Sequence, residues 1–333
     1  MIGLVLLMSV SVIGGSSQPA RADVEAVEVV TGVGAVTLSP DCGEGPLSEA
    51  RTASFQRETR GLRGLWYALH WVGHGELYLL LLCLVAVGRH WRRALDFSVA
   101  MGLSAWLTGV LKGIVNQPRP GWLGETLWID VGSASSGFPS GHVATAMGLL
   151  LLVRSRRAVL AVGLFVLLMV LARVGVGAHS PAQVLGGVCL GTFTVVAAPA
   201  LVRLTLRDVE TRIIRLLVGA LAMPYLVLLL VDLPLAESVC QAFSQTRLLD
   251  GRARAMGGGL GLWSGAMYGG WLMFQARLSG RFWGSCPLFM ALAYFVLPAS
   301  ASLALVTNFG VVLGVWAVAR RVHRRRRPAT AAG

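Results

Sequence analysis

The chain has 333 residues, of which 55% are hydrophobic and only 14% charged, and its mean hydropathy is +0.68. A soluble globular protein of this size does not reach that balance, so a water-soluble enzyme or carrier is excluded and a membrane protein is implied. The formal net charge of +13 falls in clusters between hydrophobic stretches, which reads as topology and contact with anionic headgroups rather than nucleic-acid binding, for which no motif is present.

Residues 1–22 hold an apolar run closed by Ala20, Arg21 and Ala22, the small-x-small pattern of a signal-peptidase site, and are expected to be a signal peptide. No Lys or Arg stands near Met1, so an uncleaved anchor is the alternative. Residues 23–64 are polar, contain Gly, Ser and Pro, and read as an exposed, exported N-terminal arm.

Hydrophobic stretches follow at 65–88, 94–115, 142–157, 158–177, 181–203, 216–233, 255–275, 282–300 and 303–319. Crossing a bilayer core of roughly 30 Å takes about 20 helical residues, so these predict an all-α, multi-pass transmembrane bundle of about nine helices. The third stretch is short unless Arg154, Arg156 and Arg157 snorkel from its end. A membrane core is expected over 65–233, and an additional three-helix segment with a basic tail over 234–333.

Within the first helix His70 and His74 share a face, the spacing of a two-histidine metal site. No third ligand accompanies them, and a bundle-facing role at the interface is the simpler reading. Basic clusters at 89–93, 154–157, 203–215, 277–281 and 320–327 occupy every second connection. The positive-inside rule puts these connections and the C-terminus in the cytoplasm, and the intervening loops outside.

Cys83, Cys189 and Cys286 lie in or beside membrane segments and read as small apolar side chains. Cys42 and Cys240 both fall on the outer side, where an oxidising compartment permits a disulfide between them. Gly257, Gly261, Gly265 and Gly269 form a four-residue ladder on one helix face, the mark of close helix packing; a lipid-tail groove is the alternative.

Three short pieces carry chemistry. Lys112 is followed after six residues by Arg119 and Pro120; Pro139, Ser140, Gly141 and His142 open the third helix; Arg173 is followed after five residues by His179. All three are expected at one face of the bundle, because 142–177 is one helix down and one back. A phosphomonoester dianion needs several charge-assisted donors fixed around its oxygens, and three cations supply them. Ser140 stands where an N-cap would, Gly141 lets a phosphate approach the backbone, and the first-turn N–H groups favour an anion. Beyond His179, Ser180, Pro181 and Gln183 predict a capping box that starts the fifth helix beside the imidazole.

In these residues the chain resembles the type-2 phosphatidic acid phosphatase superfamily. The resemblance covers about 110–187 by motif and 65–233 as a six-helix phosphatase core. It implies that His179 is the nucleophile, forming a phosphohistidine, and that His142 protonates the leaving oxygen and then activates water. It further implies that Lys112, Arg119 and Arg173 clamp the phosphate, that Ser140 and the Gly141 amide assist, and that neither a metal ion nor another cofactor takes part. The membrane helices hold no carboxylate cluster, which agrees with a metal-free site.

Two positions depart from the family pattern: Ala172 replaces the usual Ser before the Arg, and Gln183 replaces the usual Asp four residues after the nucleophilic His. A glutamine carbonyl can orient the imidazole of His179 but supplies no charge; alternatively, Gln183 simply caps its helix. The expected activity is hydrolysis of a lipid phosphate or diphosphate, with membrane lipids as partners, at the outer face of a bacterial cytoplasmic membrane. A phosphotransferase with a lipid diphosphate donor is one rival. A non-catalytic lipid-binding relative, favoured by Gln183, is the other.

Overall fold

In the computed structural model the described residues are 46–73, 75–88, 90–115, 117, 119–120, 136–206, 258–269, 273 and 299–325. The signal segment 1–22, the arm up to residue 45, Cys42, His74, Cys240, Cys286, the stretch 216–233 and all but the last two residues of the stretch 282–300 lie outside them. Among the described residues there is no strand.

The elements in order are α1 (Pro46–Glu58), a 3-10 turn (Arg60–Leu62), α2 (Arg63–Val72), α3 (Gly75–Val87), α4 (Trp91–Val115), α5 (Gly141–Met147) continued by a 3-10 segment (Gly148–Leu152), α6 (Arg156–Gly175) and α7 (Pro181–Leu206). A helix α8 over 258–269 and α9 (Ala299–Arg325) complete them. Among the described residues four helices are long and apolar enough to cross a bilayer, Trp91–Val115, Arg156–Gly175, Pro181–Leu204 and Leu303–Arg324, or up to five spans if the bent pair Arg60–Val72 and Leu77–Val87 counts as one.

The first hydrophobic stretch is therefore not one straight helix. It breaks after Gly73, and its halves differ in direction by 52°. Packing is close at this point: a Cβ on Gly73 would stand 2.9 Å from the sulfur of Met169 and 3.2 Å from the ring of His142, so the end of α2 closes on α5 and α6.

The third stretch also differs from a regular helix. It is α-helical only to Met147, tightens to 3-10 winding from Gly148 and is extended at Val153. Higher rise per residue makes up for the small residue number: 141–155 covers about 30 Å, as do the 20 residues of α6. Arg154, Arg156 and Arg157 are exposed and need not snorkel from a buried span.

Part of the segment read as an exposed arm is docked. On α1, Thr52, Ala53 and Gln56 are buried, and Gln56 Nε2 donates to the Gly175 carbonyl at 3.2 Å, satisfying a backbone acceptor at the α6 C-terminus. Trp66 of α2 lies over Gly175, where any Cβ would collide with its indole.

The core centres on α4, whose Phe97, Val99 and Ala100 are fully buried. Gly102 and Gly259 let the backbones of α4 and α8 approach, each glycine meeting the other helix's backbone. Gly261, Gly265 and Gly269 face Leu305, Val312 and Trp316 of α9. These three ladder positions are filled by packing, in which small residues allow dispersion contact between helices.

Basic residues gather at one end of the bundle. There Arg93 Nη1 reaches the Leu152 carbonyl at 3.5 Å, and His323 Nε2 lies 3.1 Å from the Ala86 carbonyl. Arg156 and Arg157 sit at a helix N-terminus, where the macrodipole opposes cations. Helix stability therefore does not account for that placement. The three motifs occupy the opposite end.

Candidate active site

Lys112 lies in the last turn of α4, where a cation also favours the helix dipole. Its Nζ donates to the Ser136 carbonyl at 2.6 Å, and Ser136 Oγ donates back to the Lys112 carbonyl at 2.9 Å. The chain leaving α4 is thus tied to the chain that enters the second motif. Ser140 occupies the N-cap position of α5 without capping it. Its N–H donates to the Gln183 carbonyl at 3.1 Å, and Gly187 leaves room for its backbone on α7.

The third motif owes its spacing to a helix stop. Gly177 takes φ 68°, the left-handed conformation that glycine adopts without steric cost. The chain folds back so that the N–H groups of Ala178 and His179 both donate to the Arg173 carbonyl, at 3.1 and 3.2 Å. Arg173 and His179 therefore end up adjacent although six positions apart.

Arg119 joins the first motif to the third. Its Nη1 donates to the Ala178 carbonyl at 2.7 Å and lies 3.4 Å from His179 Nε2. A guanidinium only donates, so this contact is a hydrogen bond in the neutral tautomer whose proton resides on Nδ1.

Burial is deep: Lys112 and Arg119 are 5% exposed, Arg173 3% and His179 1%. Desolvation first, then the charges of Arg119, Arg173, Lys112 and His142, hold the His179 imidazole well below the usual histidine range. These positive groups thus lie within electrostatic reach of one ring. Around them Ser140 Oγ, Arg173 Nε and His179 Nδ1 are buried without a hydrogen-bond partner among the described residues. Unsatisfied buried polar atoms are uncommon, and these could take a polar ligand.

Gln183 forms the capping box anticipated from its spacing: Ser180 N donates to its Oε1 at 3.1 Å, and its own N–H donates to Ser180 Oγ at 3.3 Å. Its side-chain oxygen is thus engaged by Ser180 while His179 Nδ1 has no hydrogen bond. Of the two roles open to this residue, helix capping is the one formed here. The side chain also packs on Gly137, where a Cβ would overlap it.

Two residues outside the motifs stand at the site. His70 of α2 contacts Arg173 through its Nδ1 and stacks on His142, with centroids 6.1 Å apart and planes 27° from parallel. Its sequence signal is helical spacing from Trp66, which packs on the same end of α6. Thr108, one turn before Lys112 on α4, has a buried Oγ1 with no partner among the described residues, and its methyl would be 3.1 Å from a Cβ on Gly141. The i, i+4 relation to Lys112 was its only signal. No group of three or more His, Cys, Asp or Glu among the described residues is arranged to hold a metal ion.

A family model described as the PAP2 superfamily matches residues 93–207, from the first turn of α4 to the end of α7, a region that includes all three motifs. No significant match is found among curated proteins or solved structures.

Proposed function

We propose, from the match of residues 93–207 to the PAP2 superfamily model, whose members act on phosphate esters as phosphatases or phosphotransferases, that this chain hydrolyses a lipid phosphate or lipid diphosphate without a metal ion. His179 Nε2 attacks phosphorus, the bond to the leaving oxygen breaks, and His142 gives that oxygen its proton. Water then attacks the phosphohistidine: His142 takes a proton from it, the P–N bond breaks, and phosphate leaves. Lys112, Arg119 and Arg173 offset the charge that develops on the phosphoryl oxygens, with Ser140 and the Gly141 amide assisting.

The observation that carries the reading is the meeting of Arg119 with His179, at 3.4 Å, inside a buried group of positive side chains. A ring whose Nε2 faces a guanidinium is held neutral, and an arriving phosphate that takes up the guanidinium's hydrogen bonds would free the lone pair for attack. A substrate whose tails stay in lipid suits a site at the end of apolar helices. We place the site end at the exterior, because Arg92, Arg93, Arg156, Arg157, Arg321 and Arg324 lie at the other end.

The test is phosphate release from detergent-solubilised protein across phosphatidic acid, phosphatidylglycerophosphate, a sphingoid-base phosphate and undecaprenyl diphosphate. Hydrolysis, an alkali-stable phosphoenzyme and loss of both in H179A are expected. Turnover retained in H179A would overturn the mechanism, and transfer to an added alcohol in preference to water would make the chain a phosphotransferase. One observation favours a second reading, a lipid-binding relative without turnover: His179 Nδ1 has no acceptor among the described residues. Phospholipid binding without any phosphoenzyme would establish that alternative.

A further inference from the structure

We propose that His70 is a positioning residue for the phosphate clamp, fixing Arg173 through its Nδ1 and the His142 ring through stacking. The inference rests on the phosphate-ester reading above.

Three observations carry it. First, α2 presents Trp66, His70 and Gly73 to the site end of α6, a spacing of four and three residues that keeps them on one helix face. Trp66 covers Gly175, His70 meets Arg173, and Gly73 fits against Met169 and the edge of His142. The contact of His70 is therefore set by packing above and below it.

Second, arginine has no acceptor, so the Arg173–His70 contact fixes both partners: Nδ1 accepts from Nη1, and the proton of the neutral ring is on Nε2. One branch of the guanidinium is thereby held by the protein. Its Nε is buried without a partner among the described residues and stays open to a phosphate oxygen.

Third, the same ring lies over His142 at 6.1 Å and 27°. A ring face packed beside the His142 imidazole limits its rotation. His70 thus connects the clamp to the proton-transfer residue, although it belongs to none of the three motifs.

Asn and Phe separate the two contacts. In H70N an amide oxygen can stand where Nδ1 was, but the ring is lost; in H70F the ring remains and the acceptor is gone. The readouts are the inhibition constant of orthophosphate, KM and kcat with a lipid phosphate, and orthovanadate binding by thermal shift, which needs no turnover. H70F is expected to weaken orthophosphate and orthovanadate by about tenfold, the scale of a lost hydrogen bond to a charged group. H70N is expected to stay within about threefold for those anions and to lose mainly kcat. In an R173A background H70F should have no further effect on anion affinity.

If His70 only fills space, H70F is tolerated and H70N is damaging, and that order overturns the proposal. So does an H70F effect that persists in R173A. H70L, which also lacks the acceptor, replaces H70F if the latter does not fold. Wild-type protein that binds neither orthophosphate nor orthovanadate would instead remove the phosphate-ester reading itself.

Discussion

Arg119 Nη1 lies 3.4 Å from His179 Nε2 while donating to the carbonyl of Ala178, one residue earlier, at 2.7 Å. A single buried guanidinium thus fixes the backbone that carries the imidazole and also determines which ring nitrogen keeps its lone pair. Replacing Arg119 with Ala should lower kcat/KM by about 100- to 1000-fold, the scale for removing one preorganised donor from a charged transition state. R119K keeps charge but cannot hold both acceptors in a fork, and should fall between the two. Initial rates on a short-chain lipid phosphate in detergent check both.

The titration of His179 gives a second expectation. Its folded-state pKa is lowered by burial and by Arg119, Arg173, Lys112 and His142, so the unfolded chain binds the proton more readily. The corresponding stability is fully present above the ordinary imidazole value of about 6.5 and is lost as pH falls through the depressed folded value. The limb of kcat/KM that reports His179 should lie below that ordinary range and move upward in R119A. Chemical-shift titration of labelled histidine in the free protein, with H179A for assignment, measures it without interference from substrate ionisation.

Gly177 is the hinge of the third motif at φ 68°. Ala there should destabilise the fold by about 1–2 kcal/mol through the left-handed backbone alone, and Asn by less. Activity should fall more than stability predicts, because the same turn sets Ala178 and His179 on the Arg173 carbonyl. Thermal midpoints compared with kcat separate the two effects.

Gln183→Ala should cost about 0.5–2 kcal/mol, as for a lost helix cap, since Ser180 N loses the acceptor it has at 3.1 Å. Gln183→Asp offers His179 Nδ1 a charged acceptor and is expected to raise kcat severalfold. A phosphoenzyme assay on the two variants and wild type reports the comparison.

Removing metal should leave turnover unchanged, because cationic side chains supply the charge that a divalent ion would otherwise provide. Dialysis against EDTA followed by rate measurement, with and without added Mg²⁺, is the check.

Much of the scaffold was legible. Apolar stretches located α4, α6, α7 and α9, because a helix that must satisfy its own backbone in lipid leaves a continuous hydrophobic run. The capping box at Ser180 and Gln183 and the glycine ladder were readable for similar local reasons. The break after Gly73 and the 3-10 winding from Gly148 were not: both glycines pack against residues distant in the chain, Met169 and His142 at the first, Phe97 and Ala100 at the second, and no local pattern announces those contacts. The residues of α1 read as exposed because nothing local indicates that Gln56 will reach the Gly175 carbonyl.

The sequence by itself determined the material of this protein: oily helices, basic clusters on alternate connections, and three cations with two histidines at spacings that demand helix ends. Those are consequences of local chemistry, of hydrogen bonding and solvation along a few consecutive residues. The tertiary structure decided which atoms meet: Arg119 with His179, His70 with Arg173 and His142, and the Gln183 oxygen with Ser180 rather than with the imidazole. Such pairings depend on the packing of α2, α5 and α6 to within a hydrogen-bond length, and no local pattern encodes a distance between helices.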